Sequence, residues 1–306
     1  MDIFQKDIVT IIHSALTGIK GTLSDGFDLE KGIKLAREHN IIAIFYEGAV
    51  LCGVSNEIPM MQNMINDVCK TVIVDARQIS MINRLTEAFD KEYIDYLPLK
   101  GILLKQFYPK SEMRAMGDVD ILIKLEQYSK IQEILKDLDF LYKYESDHEL
   151  VWTNPSLFLE LHKSVMTTYN KDFYKYFSTG WDLASKVDGT NSRYEFKPED
   201  FYVYIFVHFT KHYRISGIGI KHILDLWVYA QAHPRVDWRY IHKILKQLNL
   251  YEFHQNVIDT LNVWFDNGEQ NEKTSLITNV IFSSGQYGTR EMSNINHAIR
   301  ESKNNG

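Results

Sequence analysis

Cysteine is nearly absent from this chain: Cys52 and Cys69 are the two among 306 residues. Neither their number nor their spacing suits a disulfide framework or a zinc site, so both are expected as reduced, buried thiols. A basic excess is lacking too. With 34 Lys and Arg against 40 Asp and Glu, the net charge is −6 at pH 7. That balance excludes a protein that coats nucleic acid non-specifically, which needs many phosphate-neutralising cations, while leaving room for a local basic groove. Long hydrophobic runs are also missing. The most apolar stretch, IIAIFYEGAVLCGV, is too short and interrupted to span a bilayer. The opening MDIFQKDIVTIIHSALTG places Asp2 and Asp7 where a signal peptide carries a basic leader. The expectation is a cytoplasmic protein with no membrane partner. There is no internal repeat and no low-complexity tract long enough to serve as a linker.

What is present is a large apolar fraction, 45% hydrophobic with 13% aromatic residues, enough for one large core or two ordinary ones. Phe4, Ile8, Ile11, Ile12 and Ala15 follow helical spacing, DLEKGIKLAREHN and IIAIFYEGAVLCGV continue it, and residues 62–92 read as one long helix. The period then changes. YLPLKG, GDVDILIK and LFLELHKS are short alternating apolar runs, separated by the helical LEQYSKIQEILKDL. From Lys197 helices return, the first opened by Pro198 and two acids. The chain therefore divides into an N-terminal helical subdomain (1–92), an α/β core (93–196) and a C-terminal helical subdomain (197–306) with a flexible tail.

Within RAMGDVDILI, Asp118 and Asp120 alternate with Val119, Ile121 and Ile123. A strand turns alternate side chains to opposite faces, so both carboxylates share one face about 6 to 7 Å apart. They repel one another and raise each other's pKa unless something positive sits between them. Glu160 in LFLELHK lies, by the same alternation, on a face with Phe158 and His162. If the two strands pair, three carboxylates converge on a ligand set for one or two Mg²⁺ or Mn²⁺ ions. Such ions take oxygen donors and complete their shells with water and phosphate, and a pair of them suits in-line phosphoryl transfer. Upstream, Lys100 and Gly101 stand at a strand-to-helix junction, where free N–H groups, the helix dipole and a lysine suit triphosphate. Arg114 could add a planar fork of donors to the same phosphates. His162 reads either as a cap on the site or as a satisfied core histidine.

The series LPLKG, RAMGDVDILI and FLELHK resembles the uncharacterised nucleotidyltransferase family of the DNA polymerase beta-like superfamily, which carries Leu-Lys-Gly, Arg-x-x-Gly-Asp-hydrophobic-Asp and Glu-Leu-His. LAREHNIIAIF and HFTKHYRISGIGIKHILDLWVYA are similar to the family's flanking helical segments, so the resemblance covers about residues 30 to 235. It implies an α+β fold, a nucleotidyltransferase core with a mixed sheet between helical subdomains, with Asp118, Asp120 and Glu160 as metal ligands. Two departures stand out. The wider superfamily has Gly-Ser or Gly-Gly where this chain has Lys100-Gly101, the narrower family's form, and Lys221 stands where the family commonly has Arg.

The implied activity moves an NMP from an NTP to an acceptor hydroxyl or phosphate, releasing pyrophosphate. Lys100, Gly101 and Arg114 would hold the triphosphate. The acceptor is open among RNA, protein and small molecule, and an antitoxin or biosynthetic-cluster partner is compatible. The alternative is a catalytically inactive nucleotide-binding or interaction module on the same fold. His208 and His212, four apart, lack the following Glu of a zinc protease. His212, with Lys221 and Asp225, reads either as a contact to nucleotide from the C-terminal helices or as part of an aromatic core.

Overall fold

The computed structural model describes residues 1–166, 171–215 and 217–285; the tail expected at the C-terminal end lies outside the described residues. In chain order come α1 (Ile3–Thr17), α2 (Leu29–Glu38), α3 (Ile42–Leu51) and the long α4 (Pro59–Lys91). Next follow β1 (Tyr96–Pro98), the short α5 (Gly101–Leu104), β2 (Val119–Ile123), α6 (Tyr128–Asp137), β3 (Leu141–Glu145), β4 (Glu149–Thr153) and β5 (Phe158–His162). Then come α7 (Lys171–Phe177), β6 (Ala184–Lys186), β7 (Tyr194–Phe196), α8 (Pro198–Ile215), α9 (Ile220–Ala232), α10 (Trp238–Gln247), α11 (Tyr251–Phe265) and α12 (Glu272–Ser284). The fold is α+β, as expected. Two compact units emerge: residues 1–70, 202–235 and from 242 onward form a helical unit, and residues 71–201 with 236–241 form a sheet unit. No helix among the described residues is long and apolar enough to cross a membrane.

In the helical unit, α1 starts with a capping box in which the Asp2 side chain accepts from the Gln5 N–H and Gln5 returns the bond to Asp2. Its Ile8, Ile11, Ile12 and Ala15 are buried, the apolar stripe the spacing predicts. The stripe packs on α3, where Gly48 lets the two backbones touch: a Cβ there would stand 1.9 Å from the Ile11 carbonyl oxygen. Both cysteines are free thiols, but Cys69 is exposed and Cys52 half-buried. The expectation that both are buried fails because Cys69 falls on the solvent side of α4.

Two buried histidines tie this unit together as neutral groups. His39, just past α2, accepts the Ile220 N–H at 3.1 Å on its Nδ1 and bonds the backbone of Phe282, and burial pushes its pKa down to about 4. His254 on α11 sits with its Nε2 3.0 Å from the Tyr202 hydroxyl. Burial, with the nearby His242 charge, lowers its pKa to about 3. In the unfolded chain both would titrate near 6.5, so the unfolded state binds more protons over the interval between. Stability contributed by the neutral rings is complete above pH 6.5 and is lost as pH falls toward 4. The expected result is a urea midpoint that declines through that window. His39→Asn and His254→Gln should each flatten the decline, and a pH-independent midpoint between 7 and 4.5 would contradict it.

The sheet unit holds one five-stranded sheet in the order β1-β2-β5-β4-β3. β2 and β5 run parallel, and the remaining neighbours are antiparallel. Val119, Ile121 and Ile123 of β2, Leu159 and Leu161 of β5 and Leu150 and Trp152 of β4 enter one core with Ile82, Leu85 and Phe89 of α4 and Ile131 and Leu135 of α6. The alternation in the sequence thus points one row of side chains into this core and leaves the other row on the opposite face. The 141–153 hairpin has no counterpart in the sequence reading. β3 is exposed along its whole length and carries a register shift between Tyr142 and Tyr144; both features weaken the hydrophobic signal from which a strand is read.

Candidate active site on the central parallel strands

Parallel pairing places Val119 beside Leu159, Asp120 beside Glu160, Ile121 beside Leu161 and Leu122 beside His162. Side chains opposite one another in such a pair leave the sheet on the same face about 4.8 Å apart. Asp120, Glu160 and His162 accordingly each offer a ligand atom, all within 4.8 Å of one another. The His162 Nε2 lies 2.7 Å from Asp120 Oδ1 and 3.6 Å from Glu160 Oε2. Asp120 and His162 are buried and Glu160 is half-buried at the rim.

Asp118 stands one residue before β2, and the ladder with β5 starts at Val119. The side chains whose ligand atoms converge are Asp120, Glu160 and His162. Asp118 is still near enough for its charge to act on Glu160.

The positive charge that the sequence demanded between the acids is supplied by Lys100. After β1 the Leu99 N–H donates to the Asp120 carbonyl at 3.0 Å, which holds the chain against β2 at that residue. Lys100 follows with φ 45° and ψ −118°, a backbone conformation that L-residues rarely adopt. Its ammonium thereby lies 2.6 Å from Asp120 Oδ1. The helix after it, α5, is a single turn of four residues, so the helix dipole expected at this junction is small. Gly101 serves packing: a Cβ there would meet Met116 Cγ and Sδ at 3.0 Å and Arg114 Nη1 at 3.6 Å. Arg114 is buried, and its Nη1 donates to the Ala115 carbonyl at 3.0 Å.

The profile of the uncharacterised nucleotidyltransferase family matches residues 25–266. The chain belongs to this nucleotidyltransferase family. Two solved structures share its likeness at 11% identity and a TM-score of 0.40. One is the solution structure of the antibiotic-resistance factor ANT(2″)-Ia, covering 62% of this chain and 97% of that one. The other is the crystal structure of ANT(2″)-Ia in complex with adenylyl-2″-tobramycin, covering 58% and 98%. Among curated proteins there is no match.

As a nucleotidyltransferase the chain is a transferase of NMP groups, and the electrostatics of its sheet face suit that chemistry. Burial would raise the Asp120 carboxyl, but the Lys100 ammonium and the His162 bond outweigh it and hold the group well below the usual carboxylate range. Glu160 goes the other way: burial, then the charges of Asp120 and Asp118, push it up to about 8. The carboxylates of Asp120 and Glu160 are an oxygen donor set that fits a divalent cation, while the His162 Nε2–H is taken up by Asp120 Oδ1.

Glu149 on β4 pairs in register with His162, and its charge adds to the upward push on Glu160. The sequence reading missed it, although the alternation Glu149, Val151, Thr153 against Leu150 and Trp152 was there to be read. Two buried anchors position the segment that carries Arg114. Lys105 and Ser111 both bond Asp75 of α4, and Gln78 donates to the Met116 carbonyl at 3.2 Å. His212, Lys221 and Asp225 fall in the helical unit. Lys221 and Asp225 are each 4% exposed, and the His212 ring lies 4.4 Å from that of His208 and 6.3 Å from that of His222.

Proposed function

We propose that this nucleotidyltransferase uses a divalent cation, Mg²⁺ or Mn²⁺, to move an NMP from an NTP to an acceptor hydroxyl or phosphate with release of pyrophosphate. The observation that carries the reading is the register of β2 and β5, which brings Asp120 and Glu160 side by side with ligand atoms within 4.8 Å. Asp120 and Glu160, assisted by Asp118, hold the cation. When bound, the cation withdraws charge from the phosphate oxygens and aligns the α-phosphorus for attack.

The chain's own groups do the rest. Arg114, with Gly101 beside it, faces the triphosphate and binds its charge through a planar fork of donors. His162 keeps Asp120 oriented by its hydrogen bond. As the acceptor oxygen bonds to the α-phosphorus, the bond to the β,γ-diphosphate breaks, and Glu160 favours loss of the acceptor's proton.

The test is transfer from each α-labelled NTP to total RNA, a protein extract and a small-molecule pool, with Mg²⁺, with Mn²⁺ and with EDTA. Label is expected to move to one of these acceptor classes only when cation is present. NTP binding without transfer to any of them would favour the inactive binding module, and transfer undiminished by EDTA would refute the cation.

A further inference from the structure

We propose that Lys100 stands in for one of the two cations that phosphoryl-transfer centres commonly employ, so that this enzyme works with a single divalent ion beside a fixed ammonium. The inference rests on the cation reading above and concerns how many ions that site takes.

A two-ion centre, with its ions about 3.5 to 4 Å apart, needs a carboxylate that bridges them, one oxygen to each. Asp120 is the most buried acid of the group, at 3% exposure. Its Oδ1 accepts from Lys100 Nζ at 2.6 Å and from His162 Nε2 at 2.7 Å. A carboxylate oxygen offers about two lone-pair sites. Both on Oδ1 are therefore engaged, and Oδ2 alone remains for an ion.

The ammonium is also built in rather than draped over the surface. The Leu99 N–H bond to the Asp120 carbonyl, 3.0 Å long, fixes the chain at that point. The positive φ of 45° at Lys100 then turns its stem toward β2, and the side chain is 19% exposed. A strained backbone that persists at such a position is characteristic of a functional constraint. A dication next to the ammonium would meet a fixed like charge at short range, little screened by solvent. The geometry therefore selects one dication, held by Oδ2 of Asp120 with Glu160, and leaves the lysine to neutralise the remainder of the acidic face.

The experiment counts Mn²⁺ bound to the full-length chain by electron paramagnetic resonance, titrating with Mn²⁺ alone to millimolar concentration. Ions whose binding is weakened by Glu160→Gln belong to the site. Wild type is expected to bind one such ion. Lys100→Gly, in which glycine accepts the positive φ without strain, is expected to bind two, the first at least about tenfold more tightly because a fixed positive charge is gone. Two ions in wild type would overturn the inference and leave the cation reading intact. An unchanged count and affinity in Lys100→Gly would overturn it as well. No site-bound ion in wild type would refute the cation reading, and the inference with it.

Discussion

Asp120→Asn should cut NMP transfer by about 10² to 10⁴-fold, the range for removing one electrostatic catalytic group, and should lower the melting temperature as well. The substitution keeps the shape of the side chain. It removes the charge that holds Lys100 at 2.6 Å and His162 at 2.7 Å. Two acids on one strand face invite the opposite expectation, a mutant stabilised by relief of repulsion. That relief is not on offer here, because the Lys100 ammonium already compensates Asp120, whose carboxyl is held far below its ordinary range. Removing the carboxylate leaves two donors facing a weaker acceptor in a largely buried place, a cost on the order of 1 to 3 kcal/mol. Calorimetry and a transfer assay on the same preparation decide the matter. A higher melting temperature would show that repulsion among the acids outweighs the lysine.

Glu160→Gln is expected to lose transfer by about 10² to 10³-fold while its melting temperature holds or rises. The contrast with Asp120 comes from the sign of the shift. Glu160 is pushed up to about 8 by burial and by Asp120 and Asp118, so without a bound cation it carries its proton at neutral pH, and Gln resembles that neutral form. Between the ordinary glutamate value near 4.5 and about 8 the folded state holds a proton that the unfolded state has released. Wild-type stability therefore falls as pH rises through that window, and the mutant should escape the fall. Melting curves at pH 7 and pH 8.5, where His39 and His254 stay neutral, should converge in the mutant and diverge in wild type. A mutant that melts lower than wild type at pH 8.5 would mean that Glu160 is ionised and paired, contrary to this account. The same proton explains why cation binding should tighten with pH: the carboxyl must ionise to become a ligand.

Much of the site was legible in the sequence because a half-buried strand records its orientation in every second residue. Val119, Ile121 and Ile123 against Asp120, and Leu159 and Leu161 against Glu160 and His162, each identify a core face and an opposite face. The long α4 and the amphipathic α1 were legible for the equivalent reason at a period near 3.6. Lys100-Gly101 was legible as a junction because a strand pattern stops there and a helical one starts.

Other features needed the third dimension. Whether β2 lies next to β5 depends on a pairing between residues some forty positions apart, and local alternation carries no information about partner or register. Asp118 shows the consequence: alternation marks it as a candidate, but only the fold brings its charge near enough to act on Glu160. Lys100 is the sharper case. Its reach to Asp120 comes from one long-range backbone bond and a positive φ, and a lysine has no sequence signature for either. Glu149 enters the group only because β4 runs antiparallel to β5. The sequence by itself determined the residue types, their faces and the nucleotidyltransferase motif, since these follow from periodicity and composition along the chain. The tertiary structure alone decided which charges meet, because the Coulomb term depends on distances that strand pairing and backbone conformation set across the fold.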